Sequence, residues 1–581
     1  MSDFTNEQKR YLEGFAAGAQ IPARATFTST LGIAASDLPG SPERLCYEAQ
    51  DAQTNAGKKL CPEEAAKRKR FPLDMYGQIK EQATRNEPPK GTDVLAFKYF
   101  GLFWVAPAQD SFMSRLRFAG GIVQSYQLRG VANLAATCGG GYADVTTRAN
   151  LQVRQIEPKN ADQFLEGLYD LGIVNRGAGG DNIRNITASP LAGIDPDELF
   201  DTRQLARDMH YIILNKREMF GLPRKFNIAF DGGGRVSALE DTNDIGFSAL
   251  RSKADEQIYF RLTLGGITGH KDFARDTGIA LKPNECVEVA EAIVKAFIRH
   301  GDRTDRKKAR LKYVLDRMGF DGFVAEVEKD LGRKMPRMAL SEFELRPPIG
   351  KHDHVGVHKQ SQMGKNYVGV VLPVGRITSE QLHLLADIVD RYGSRHIRLT
   401  VWQNLILPDI ADRDVATVIQ AIEQIGLSAK WSPVRAGLVA CTGSAGCKFA
   451  NADTKKNAML IADYLEANTE LDQPINIHVT GCPHSCAQHF IGDIGLLATK
   501  LGEEAIEGFH LYLGGGYGVD QRIGVEVARN VLATDTPRML AGLIENYLAH
   551  RSSVDEAFAA FSLRHTPDQL RAMLPEKVTV A

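Results

Sequence analysis

One spacing recurs along this chain. Gly121, Gln127-Leu128, Thr146, Asn150-Leu151 and Gly172 are matched 254 positions later by Gly375, Gln381-Leu382, Thr400, Asn404-Leu405 and Gly426, with no gap between them. A fixed offset of this kind means that one folded unit occurs twice, each copy burying its apolar face against its neighbours. Alternating and i, i+3, i+4 apolar positions predict strand, helix, strand, helix in each copy. In the first copy these are 113–118, 125–137, 144–156 and 161–171. In the second they are 367–372, 379–392, 396–405 and 413–425. Each copy then runs into a longer α/β stretch.

The copies differ where chemistry is expected. Ser189 in the first stands where Cys441 stands in the second, and Arg148 is matched by Trp402. The second copy carries Cys441-Thr-Gly-Ser-Ala-Gly-Cys447 and, 34 residues on, Gly481-Cys482-Pro-His-Ser-Cys486. Four thiolates in two close pairs suit an iron–sulfur cluster or a zinc ion. The spacing of five and three residues is unusual for zinc, and four buried thiols would be the inert alternative. Each pair follows an apolar run, so each is expected in a turn after a strand. Gly443, Gly446 and Gly481 would let backbone N–H groups approach sulfur. Cys46, Cys61, Cys138 and Cys286 are scattered and read as structural thiols.

C-x5-C followed by T-G-C-P-x-x-C resembles the sirohaem-dependent nitrite and sulfite reductases. The resemblance implies that Cys441, Cys447, Cys482 and Cys486 hold a 4Fe-4S cluster, and that the Cys486 sulfur also ligates the sirohaem iron. It implies an α+β fold, internally duplicated, with two ferredoxin-like half-domains sharing a sheet and two larger α/β cofactor domains around one interface site. The expected bounds are an N-terminal wrapping segment at 1–105, half-domains at 106–175 and 355–430, and cofactor domains at 180–345 and 433–581, the last carrying the cysteines.

Strand alternation singles out cations. In Phe112-Met-Ser-Arg-Leu-Arg-Phe118, Arg115 and Arg117 face away from the apolar side. Thr146, Arg148, Asn150 and Gln152 form a polar face on the expected strand 144–156. Lys225 and Asn227 oppose Phe226, Ile228 and Phe230. The family's anion-binding motifs, M-x-R, T-x-R and L-P-R-K, fall on Arg115, Arg148 and Lys225, with Arg117 the alternative to Arg115. Asn227 joins these catalytic positions. Thr146, Asn150, Gln152, Gln488 and the glycine turn Gly514-Gly515 are expected beside the macrocycle. Arg offers a planar fork to oxyanions, and Lys a mobile point charge.

Related sulfite enzymes carry a second Lys where Asn227 stands, and Gln488 and the Cys441-Thr-Gly443 context look nitrite-like. The expected reaction is therefore reduction of nitrite to ammonia. Sulfite reduction with the same cofactors is the alternative, and a non-catalytic electron-transfer protein a more distant one. No G-x-G-x-x-G lies between strand and helix, so no dinucleotide site is expected, and ferredoxin is the expected donor. The formal net charge of −1 provides no field for nucleic acid or an anionic membrane. No apolar run reaches a membrane span, and Met1–Gln8 shows no signal pattern. A cytoplasmic monomer is the expectation. The basic run Lys67-Arg-Lys-Arg70 reads as a solvated face, and Phe97–Val105 as an aromatic anchor for the N-terminal segment.

Overall fold

In the computed structural model the described residues are 43–346 and 350–575. The first 42 residues of the expected wrapping segment, including Met1–Gln8, lie outside them.

The duplication appears as two pairs of five-stranded sheets. One small antiparallel sheet runs in the order Leu102–Trp104, Phe112–Arg115, Asn150–Ile156, Tyr142–Thr146, Arg376–Thr378. The other runs Gly356–Lys359, Lys365–Val370, Leu405–Ala411, His396–Leu399, Ile122–Gln124. In each, the fifth strand comes from the opposite copy: Arg376 pairs with Asp144, and Gln124 with His396. The expected sharing thus takes the form of strand exchange, which locks the copies together by backbone hydrogen bonds. The helices Ser125–Cys138 and Ser379–Tyr392 pack side by side above this exchange.

The two larger sheets repeat one topology. Thr187–Ala188, Ile228–Asp231 and Ile245–Arg251 are parallel, and Ile258–Leu264 and Arg275–Leu281 continue antiparallel. Leu438–Ala440, Ile477–Thr480, Ile494–Leu501, Ile506–Leu513 and Val525–Leu532 do the same. Strands covered on both faces read as unbroken apolar runs, and Ile477, Val479, Ile494 and Leu496 are fully buried.

Three expectations change. The strand expected over 144–156 is a hairpin, Tyr142–Thr146 and Asn150–Ile156, closed by the Thr146–Asn150 pair. Ala149 has φ 46°, a left-handed conformation that alternation does not reveal. Gln403 repeats the break in the second copy with φ 60°. Arg148 therefore stands at a hairpin tip and not on a strand face. The alternating stretch around Lys225 and Asn227 becomes a strand only at Ile228, although Phe226 still pairs with Ile183. Finally, Lys67 is not solvated. It is completely buried, 2.8 Å from Asp181 and 2.5 Å from Glu64, and Glu64 also binds Arg303 at 2.5 Å. This network and the buried Phe97, Tyr99, Phe100 and Leu102 fix residues 43–105 to the body.

Candidate active site

The cysteines are brought together by strand order. Leu438–Ala440 and Ile477–Thr480 are parallel neighbours, with Ala440 opposite Val479, so their following loops leave the sheet at the same edge. Cys441 opens one loop and Gly481-Cys482 the other. The Gly481 N–H donates to Cys441 Sγ at 3.1 Å, and Thr454 Oγ1 lies 3.5 Å from the same sulfur. A Cβ at Gly481 would come within 2.6 Å of the Ala450 Cβ, so this close turn needs glycine. Burial pushes the Cys482 thiol up to about 11, and the other three cysteines add to the rise, so the four act as one electrostatic group. Among the described residues no three His, Cys, Asp or Glu side chains converge tightly enough for a single metal ion. The x5 and x3 spacing of the two pairs along the chain suits a polynuclear cluster better than a zinc ion.

Cys486 is the exposed one of the four cysteines. Burial and Cys441 raise its pKa, while Lys225 and Arg115 lower it. Both cations thus act on this sulfur electrostatically. Burial, opposed by Cys486, brings Arg115 down to about 10, and its guanidinium lies 4.6 Å over the Phe103 ring. Burial and Arg310 bring Lys225 down to about 7. Arg148 donates from Nη1 to Asn243 Oδ1 at 2.9 Å and from Nη2 to the Asn185 carbonyl at 3.1 Å, leaving Nε without a protein partner. Burial lowers it to about 9, with Arg310, Arg115 and Arg117 acting in the same direction. A guanidinium remains charged there. Arg117 is 3% exposed and donates to the carbonyls of Ile183 and Gly177, with Nε and Nη1 left over. Arg117 is thus held by backbone carbonyls, whereas the Arg115 guanidinium lies against an aromatic ring.

Lys225 and Asn227 are both partly exposed, flanking the buried Phe226, so their alternation survives the late start of the strand. The Asn227 N–H donates to Asp244 Oδ2 at 2.8 Å. Other expected positions have local tasks. Thr146 Oγ1 accepts from the Arg148 N–H at 3.3 Å, and the Asn150 amide donates to the Leu116 carbonyl, so both shape the hairpin that carries Arg148. Gln152 is buried opposite Arg115 and Asp144. Gln488, at φ 55°, follows the last cysteine, and its carbonyl accepts from His478 Nδ1 at 3.2 Å. The Gly514 and Gly515 N–H groups donate to Asp493 and Gly492, seating the glycine turn on the same loop.

Several residues here escaped the sequence reading. Asn185 and Asn243 orient Arg148. Asp244 accepts from Arg310 at 3.1 and 2.7 Å. Arg184 donates to the carbonyls of Ala178 and Gly180, and burial drives its pKa well down, with Arg115 adding repulsion. Arg184 and Arg310 come from loops without periodicity, so only tertiary structure collects them. Nε of Arg148 and Nε and Nη1 of Arg117 are buried donors without a protein partner. A carboxylate-bearing ligand suits such orphaned guanidinium donors.

The chain is similar to known proteins along most of its length. Residues 179–335 and 432–557 match the family described as the nitrite and sulphite reductase 4Fe-4S domain, and residues 106–171 and 358–425 the nitrite/sulfite reductase ferredoxin-like half domain. A ferredoxin–nitrite reductase of Synechococcus elongatus is 38% identical over 77% of this chain and 88% of its own length. An assimilatory ferredoxin-dependent nitrite reductase of Haloferax mediterranei is 30% identical over 84% of this chain and 90% of its own. The solved structure of the NirA protein of Mycobacterium tuberculosis superposes with a TM-score of 0.82 at 29% identity, covering 88% of this chain and 98% of that one.

Proposed function

The chain belongs to the nitrite and sulfite reductase family, and from that premise we propose that it is a ferredoxin-dependent reductase of nitrite to ammonia. The observation that carries the reading is the hydrogen bond from Thr147 Oγ1, next to Arg148 on the first copy's hairpin, to the Cys486 carbonyl at 3.2 Å, which sets that hairpin against the cysteine loop; Arg115 and Lys225 act electrostatically on the same cysteine. In this reading Cys441, Cys447, Cys482 and Cys486 would hold the 4Fe-4S cluster, and Cys486 would also face a sirohaem. When bound, these cofactors would supply iron chemistry and pass on the electrons that the carrier delivers. Arg117, Arg184 and Arg224 give positive charge that suits the macrocycle's carboxylates.

The protein's own part is to hold a monoanion and stabilise charge on its oxygens. Arg148 is preorganised for this, because Asn243 and the Asn185 carbonyl hold two arms of its fork. Lys225 brings a donor whose three N–H bonds can follow an oxygen as it leaves. Conversion of nitrite to ammonium takes six electrons and eight protons and releases two waters, so donors that rearrange are needed as well as fixed ones. No helix among the described residues is long and apolar enough to cross a membrane, which suits exchange with a diffusing carrier.

The test is turnover with reduced ferredoxin. One ammonium should form per nitrite, with six ferredoxins oxidised. Arg148→Ala and Lys225→Ala should each lower kcat/KM for nitrite by about 10²–10³, the typical cost of one preorganised donor, with the visible spectrum of both cofactors intact. Wild-type turnover in either variant would remove that residue from the site, and no ammonium from the parent protein would overturn the reading.

A further inference from the structure

Asp144 is buried at 1% exposure and gathers cations from three parts of the chain. Arg154 Nε lies 3.4 Å from Oδ2, across the same hairpin. Arg376 Nε, on the strand exchanged from the second copy, lies 3.0 Å from Oδ1. Lys455 Nζ, from the first turn of the helix after the cysteine loop, lies 3.4 Å from Oδ1. Arg154 then reaches into that loop. Its Nη2 donates to Thr442 Oγ1 at 2.7 Å and its Nη1 to the Gly446 carbonyl at 3.1 Å. A Cβ at Gly446 would meet Nη1 at 2.7 Å, so the loop is shaped to this guanidinium. Arg154 also interacts electrostatically with Cys447.

We propose that Arg154 is a positioning residue for the cluster, held by Asp144, and that this node sets the cluster's reduction potential. The inference rests on the cluster assignment above and goes beyond the anion site. Two guanidiniums that stay charged and the Lys455 ammonium face one carboxylate, leaving a net positive charge in a low-dielectric interface beside four thiolates. Reduction adds one negative charge to the cluster, and a fixed neighbouring cation stabilises that form. Burial weakens screening, so the effect persists at high salt.

The experiment is a redox titration of the cluster, followed by its electron paramagnetic resonance signal, in cofactor-loaded protein. Arg154→Gln should shift the midpoint to more negative potential. Asp144→Asn removes the opposite charge and should shift it to more positive potential. Arg154→Lys keeps the charge and should leave the midpoint close to wild type while lowering thermal stability. A merely structural clamp would move both neutral variants in the same direction, or would lose iron and acid-labile sulfide from all three. Either result, or unchanged midpoints, overturns the proposal. Iron and sulfide content of the parent protein is read first, and its absence there would count against the cluster assignment instead.

Discussion

Asn227 lies two residues past Lys225 on the same side of the chain, with buried Phe226 between them. Asn227→Lys would place a second ammonium beside the first, above the Asp244–Arg310 pair. A dianion gains more from that charge than a monoanion. The ratio of kcat/KM for sulfite to that for nitrite is therefore expected to rise about tenfold, equivalent to roughly 1.4 kcal/mol. Repulsion between the two ammoniums lowers the pKa of one and blunts the effect above neutral pH. An unchanged ratio with both cofactors intact would show that Asn227 does not face the substrate. At this scale the alternation was legible, as where Lys225 and Asn227 flank the buried Phe226. It was misleading for Arg148, because nothing in Thr146-Thr-Arg-Ala-Asn150 reveals that Ala149 turns left-handed. It was silent on Arg310 and Asn243, whose roles exist only once distant loops meet.

The elements show the same division. The helices 125–138 and 379–392 follow from apolar spacing, and their observed bounds differ little from expectation. The helix Pro62–Lys69 instead buries two of its charges. Glu64 and Lys67 are hidden because Asp181 and Arg303, far along the chain, complete them. A buried ion network is expensive to break from one side, since the remaining partners keep their desolvation cost. Lys67→Met is expected to destabilise the native state by about 3–5 kcal/mol, seen as an earlier denaturant midpoint and faster proteolysis before residue 105. A change within about 0.5 kcal/mol, the range of ordinary surface substitutions, would mean that the network contributes little.

At the scale of the whole molecule, exchange of Ile122–Gln124 for Arg376–Thr378 makes each copy depend on the other. The repeat announces two similar units, but an offset in sequence says nothing about which strand crosses over. If residues 1–346 and 350–581 are produced as separate chains, each small sheet loses its fifth strand and exposes an edge, which invites aggregation. Neither half alone is expected to remain monodisperse, whereas co-production should recover a one-to-one complex. Two well-behaved separate halves would contradict this dependence. The site belongs to the same scale, because its cations come from the first copy and its thiols from the second. Arg154 and Thr147 bridge the two, the latter donating to the Cys486 carbonyl at 3.2 Å.

The central claim is that this site selects and reduces nitrite. The most direct measurement is kcat/KM for nitrite and for sulfite, side by side, with reduced ferredoxin and cofactor-loaded wild-type protein at fixed ionic strength. The account predicts a value for nitrite at least about tenfold above that for sulfite, the weight of one missing close charge, with ammonium as the product. A ratio of one or below, with sulfide formed faster than ammonium, would contradict it.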